Sequence, residues 1–145
     1  MPFDIGPIDG GGRGARRLLA LATYLETVAD DDYDQRAWRR RREDGAWVMC
    51  ALGHGVSALP DLIGLRWRNA DSTDVVRLDG SGLTEDAITL AAEAFELGLD
   101  EAAMLFGIGT RAKAFCGLGD GVRGDPRAVA AAIRKLALAR IAVPG

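Results

Sequence analysis

AWVMCALGHGVSALP, residues 46–60, carries no formal charge and holds Cys50, one of 2 cysteines in the chain, and His54, its 1 histidine. Met49, Leu52, Val56 and Leu59 recur at helical spacing and would share one face, with Trp47, Cys50, Ala51, His54 and Ala58 on another. A helix that is apolar all round belongs in a core, so a buried central helix is expected from about Trp47 to Leu59. Pro60 should stop it, because the proline ring disfavours helix in the residue before it. Gly53 and Gly55 each cost about 1 kcal/mol relative to Ala inside a helix, and their expected use is close approach of another element.

Cys50 and His54 stand at i and i+4, neighbours on a helix surface, and three chemistries fit that spacing. A thiol-dependent enzyme would use Cys50 as a thiolate, lowered in pKa by a helix N-terminus and by the imidazole of His54. Such dyads usually draw their partners from separate elements, with a third residue orienting the base, and the chain has no second histidine. A metal site would take Cys50, His54, Cys116 and a carboxylate, yet no CxxC or HxxxH pair occurs. The structural reading is preferred: free cysteine is among the most buried residue types, and a lone buried histidine is satisfied by one or two hydrogen bonds. Neither a metal nor a cofactor is expected.

Outward from this segment, residues 1–14 carry the glycines and prolines of a flexible N-terminal arm, and residues 15–145 are expected to form a single helical domain. Leu18, Leu21, Ala22, Leu25 and Val28 make the buried stripe of a first helix. Residues 30–44, with aspartates before arginines, match the helix macrodipole and suggest a short polar helix. LRWR (65–68) and VVRL (75–78) flank NADSTD and predict a small hairpin. Thr84 is the expected N-cap of the next helix, Gly98 its end, and Asp100 the restart. Asp125 and Pro126 open a last helix with Val129, Ala132, Ile133 and Leu136 as its stripe, closed by Pro144. The fold class is therefore mainly α: about five helices around the central one, with a small hairpin.

A chain of 145 residues can bury about 68–70% of its unfolded surface, so a real core is expected. Net charge −3 argues against whole-surface attraction to nucleic acid or anionic lipid. No signal-like start and no membrane-length apolar run occurs, and two reduced thiols fit a cytoplasmic protein. The abundance of Arg, Ala and Gly is the composition of a GC-rich bacterial genome.

The strongest local charge is RAWRRRR, residues 36–42. Trp38 with Arg39, Arg40, Arg41 and Arg42 forms a candidate partner-binding surface, where the indole would cap an apolar groove or stack on a base. Against this, Asp30, Asp31, Asp32, Asp34, Glu43 and Asp44 outnumber the five arginines of the run and can neutralise them. EAFELGLDEAAMLFG (93–107) mimics a helix-turn-helix, but Asp100 and Glu101 oppose phosphate, and two helices meeting at a corner are expected. GLGDGVRGDP (117–126) contains GxGxxG without a preceding strand or a following Walker lysine, and reads as a loop.

YDQRAW, CALGHG, LPDLIGL, AAEAFELGLDEAAMLFG and DPRAVAAAIRKLA occur in an order that resembles a loosely defined set of short, uncharacterised bacterial proteins. That set pairs a Cys-x-x-Gly-His helix with an Ala-x-x-Leu-Phe helix and a capped terminal helix, and brings no assigned activity. Some of its members carry a further cysteine where this chain has Gly45. The resemblance implies the helical fold and leaves chemistry open.

With no complete catalytic constellation, the expected function is a small cytoplasmic interaction or regulatory module using the Trp38 and Arg39–Arg42 surface. Its expected partner is a protein with an acidic patch; a homodimer is the alternative, and nucleic acid and membranes are not expected. The competing function is the thiol-dependent enzyme centred on Cys50 and His54.

Overall fold

The apolar stripe at the start of the chain folds as α1 (Gly12–Leu25), burying Leu18, Leu21, Ala22 and Leu25 completely. The computed structural model describes residues 12–34, 38–106 and 125–142. Helix α1 begins inside the expected arm; residues 1–11 lie outside the described residues. A 3-10 turn (Asp30–Asp32) follows α1, then strands β1 (Arg39–Arg41) and β2 (Trp47–Met49). Helices α2 (Ala51–Ala58) and α3 (Pro60–Ile63) come next, then β3 (Leu65–Trp67), β4 (Val75–Arg77), α4 (Ala87–Phe95), α5 (Leu99–Phe106) and a last helix, α6 (Pro126–Ala142). The described chain is mainly α with two small antiparallel hairpins.

Two expectations are corrected in the first hairpin. The described part of residues 30–44 is not a polar helix: Asp30–Asp32 make the 3-10 turn, and Arg39–Arg41 make β1, paired with β2 in the register Arg39↔Met49, Arg40↔Val48, Arg41↔Trp47. Asp44-Gly45 supplies the turn, with Gly45 at φ +87° and Gly45 N–H donating to the Arg42 carbonyl. The central helix therefore starts four residues late. Trp47, Val48 and Met49 are a strand, and extended Cys50 is the N-cap of α2, its Sγ accepting from Gly53 N–H at 3.5 Å. Leu59 breaks the helix as expected before Pro60, and Pro60 then starts α3 at its first position rather than ending all helix.

The second hairpin forms where NADSTD predicts it, with Leu65↔Arg77 and Trp67↔Val75 paired. Asp86, not Thr84, caps α4, its carboxylate accepting from Ile88 N–H at 2.7 Å. Glu96, a non-glycine residue at φ 56°, ends α4 and reaches across to accept the Gly14 N–H at 2.7 Å, capping α1 as well. Asp125 and Pro126 start α6 as expected, and Asp125 accepts the Arg127 N–H. Pro144 lies outside the described residues.

Helix α6 packs along α1, with Val129, Ala130, Ile133 and Ala137 fully buried. Arg134 to Glu26 (2.6 Å) and Arg127 to Asp30 (2.8 Å) tie its outer edge to the α1 side, and Arg140 pairs with Glu101 of α5. One continuous apolar cluster runs through α1, α2, α4, α5 and α6, including Tyr33, Cys50, Leu52, Phe95 and Phe106. Among the described residues no helix is long and apolar enough to cross a membrane.

Candidate functional site

Strand alternation puts Arg39 and Arg41 on one face of β1, and both meet Trp47 of β2. Arg39 is only 7% exposed. Its guanidinium lies between the Trp47 and Trp67 rings, 4.2 Å from each centroid. Its Nε donates to the Ser72 carbonyl at 2.7 Å, and Nη2 donates to those of Asn69 and Ala70 at 3.0 Å. Burial pulls its pKa down, with Arg41 adding to the effect. Arg39 thus bolts the first hairpin to the loop of the second.

The other arginines of the run hold carboxylates. Arg40 pairs with the buried Asp34 (3.0 Å), and Arg41 lies over Trp47 and reaches Asp71 (3.2 Å). Arg42 pairs with Asp32 (3.1 Å) and Asp44 (3.0 Å) and donates to the Asp31 carbonyl. Arg36 lies outside the described residues. This strand face therefore carries compensated charge, and sequence counting could not assign the partners, because Asp71 and the Asn69–Ser72 carbonyls are some thirty residues away.

Trp38 stands apart from the arginines. Its indole is half-buried against the core, while its backbone carbonyl lies over α2. The ring lines a groove of about 270 Å3 with Val75, Leu83 and Ala87 as apolar surface and Asp74, Glu85 and Asp86 as acidic rim. Leu83 is 45% exposed there. The contribution of Leu83, Glu85 and Asp86 was not foreseen, because they sit some fifty residues from Trp38 and only packing of α4 beside β4 brings them together.

Cys50 and His54 are one turn apart but serve different elements. Cys50 is fully buried, its Sγ 3.9 Å from the Trp38 carbonyl, and burial pushes its thiol up to about 12 despite the N-cap position. Burial therefore disfavours the thiolate at neutral pH. His54 is also buried; its Nε2 donates to the Asp32 carbonyl at 2.8 Å, which fixes the tautomer, and Tyr33 stacks on the ring at 6.0 Å. The remaining Nδ1 is buried and has no hydrogen-bond partner among the described residues. Cys116 lies outside the described residues, and among those described no group of three or more His, Cys, Asp or Glu is placed to hold a metal ion.

Burial lowers the pKa of His54, with the Asp32 carbonyl and carboxylate opposing that shift. The unfolded chain then takes up the proton first as pH falls. Stability from this residue is full above about pH 6.5 and declines as pH drops below it. Urea unfolding at pH 7.5 and 5.5 should show a lower midpoint at the lower pH. His54→Gln, which can still donate to Asp32, should flatten that difference; an unchanged slope in the variant would assign it elsewhere.

No family model, curated protein or solved structure matches this chain.

Proposed function

We propose that this chain is a small cytoplasmic interaction module, regulatory in effect, that binds a protein segment in the groove beside Trp38. The observation carrying this reading is the half-buried indole, with Leu83 exposed next to it and the carboxylates of Asp74, Glu85 and Asp86 at the rim, Glu85 also paired with Arg77 and Asp86 also capping α4. Tryptophan in a concave apolar site is the residue type that dominates interface energies. The engagement of Arg40, Arg41 and Arg42 with carboxylates moves the expected partner from an acidic one to a segment with an apolar anchor flanked by Lys or Arg. The arginines then hold the strand that presents Trp38 and do not touch the partner.

A displayed random-peptide library selected on the full chain should enrich an apolar or aromatic residue beside basic ones. Leu83→Asp should weaken the selected peptides at least about tenfold while leaving the circular dichroism unchanged, as should Trp38→Ala where it folds. Affinity should fall with added salt, since the rim charges are solvent-exposed. Selected peptides indifferent to Leu83→Asp, or no enrichment at all, would remove the reading.

A further inference from the structure

We infer that the cavity beside the first turns of α1 is a binding site for a small oxyanion of the phosphate or phosphomonoester class. The cavity measures about 180 Å3 and is walled by Ile63, Leu65 and Leu90, with Arg13, Arg17 and Arg77 as its cations and Glu93 as its one carboxylate. Glu93 and Arg77 neutralise each other, since Arg77 Nη2 pairs with Glu93 at 2.7 Å and Nη1 with Glu85 at 2.7 Å. With Glu85 counted beside Glu93, the three arginines leave one net positive charge here, in a chain of net charge −3.

Arg13 and Arg17 are one helical turn apart, so both forks reach the same space. Arg17 Nη1 donates to the Ala94 carbonyl at 2.7 Å, and among the described residues it holds no carboxylate. Arg13 has neither a hydrogen-bond nor an ion-pair partner among them. Other arginines, such as Arg127 and Arg134, each carry one. Glu96 accepts the Gly14 N–H through Oε1, and its carboxylate charge acts on Arg17 from there. Burial and the repulsion of Arg13 and Arg16 disfavour the charged form of Arg17, the carboxylate of Glu96 opposes them, and a bound anion would act in the same sense as Glu96.

Gly64 lines this site and ends α3 at φ +86°, a left-handed conformation that favours glycine; Arg17 Nη2 lies at ordinary contact distance, 3.6 Å from where a Cβ would stand. Two guanidinium forks match tetrahedral oxyanions by paired N–H donors, and the apolar wall strengthens them by excluding water. The volume lies below the about 300–1,000 Å3 of pockets that enclose drug-sized ligands, which restricts the ligand to a small one.

Inorganic phosphate titrated into the full chain, with chloride adjusted to constant ionic strength, should raise the melting temperature saturably and shift the Gly64 amide resonance. Arg17→Gln should weaken the response at least about tenfold, the effect of one charged hydrogen-bonding partner. Arg13, being exposed and unbonded to other described residues, gives a second variant, Arg13→Gln, that should fold normally and also weaken binding. A linear rise, or one unchanged in Arg13→Gln, would overturn the inference. A response to phosphatidic acid vesicles with none to free phosphate would overturn it too, in favour of a lipid surface.

Discussion

Gly53→Ala is expected to destabilise the protein by about 3 kcal/mol or more, the upper range for overpacking a core, even though alanine is the better helix former. A Cβ on Gly53 would stand 2.0 Å from the Trp38 carbonyl oxygen and 2.9 Å from the Met49 Cβ. The first obstacle is backbone, which cannot rotate away as a side chain can. Relief requires the strand entry to lift from α2, and this separates Trp38 from the Cys50 cap and disturbs the pairing of β1 with β2. Gly98→Ala is the control, because its Cβ would meet only Glu101 Oε1 at 3.6 Å, an ordinary contact. Urea midpoints at pH 7.5 for the two variants measure the contrast. Equal midpoints would show that α2 and the Trp38 segment are not in register as described.

Arg39→Met should cost about 3 kcal/mol, from three carbonyl hydrogen bonds and two ring contacts, partly offset by rehydration of the loop carbonyls. Arg39→Lys should recover less than half of the loss, because a single ammonium cannot serve a planar fork between two rings. The fluorescence of Trp47 and Trp67 reports the same event locally, and its change should be largest for Arg39→Met. Arg41→Gln, by contrast, removes only exposed contacts, to Asp71, the Gly45 carbonyl and the Trp47 ring, and should stay within about 1 kcal/mol of the parent. If Arg41→Gln proved the more damaging of the two, the bolt assigned to Arg39 would belong to its neighbour.

Both predictions turn on features that were partly legible. The unusual glycines at 53 and 55 announced a close approach, but not its partner. That partner is the Trp38 backbone at Gly53, and the Ile63 and Leu21 side chains at Gly55. The excess of aspartate around the arginine run announced compensation, but not that the hydrogen bonds of Arg39 to the described residues would go to backbone carbonyls. The sequence does not announce the first hairpin, although Asp44-Gly45 is a turn signal. The charge order of residues 30–44 also suits a helix dipole, and strand preference depends on neighbours across the ladder rather than on the strand itself. Trp47 to Met49 fits a helix face as well as a strand; pairing with Arg39–Arg41 decided between them.

Local physical chemistry alone determined the helical periodicity of α1 and α6, the start of α6 at Asp125-Pro126, the turn between β3 and β4, and the predominance of helix. Each depends on residues within one or two turns of one another, whose preferences act before the chain is compact. Only the tertiary structure decided what the polar residues do. It buried Cys50 beneath Trp38, set His54 on the Asp32 carbonyl and closed Arg39 between two rings. It left Arg13 and Arg17 lining a cavity with no carboxylate ion-paired to either among the described residues. Desolvation and hydrogen bonding set the behaviour of such groups, and both depend on what the folded chain brings alongside from distant positions.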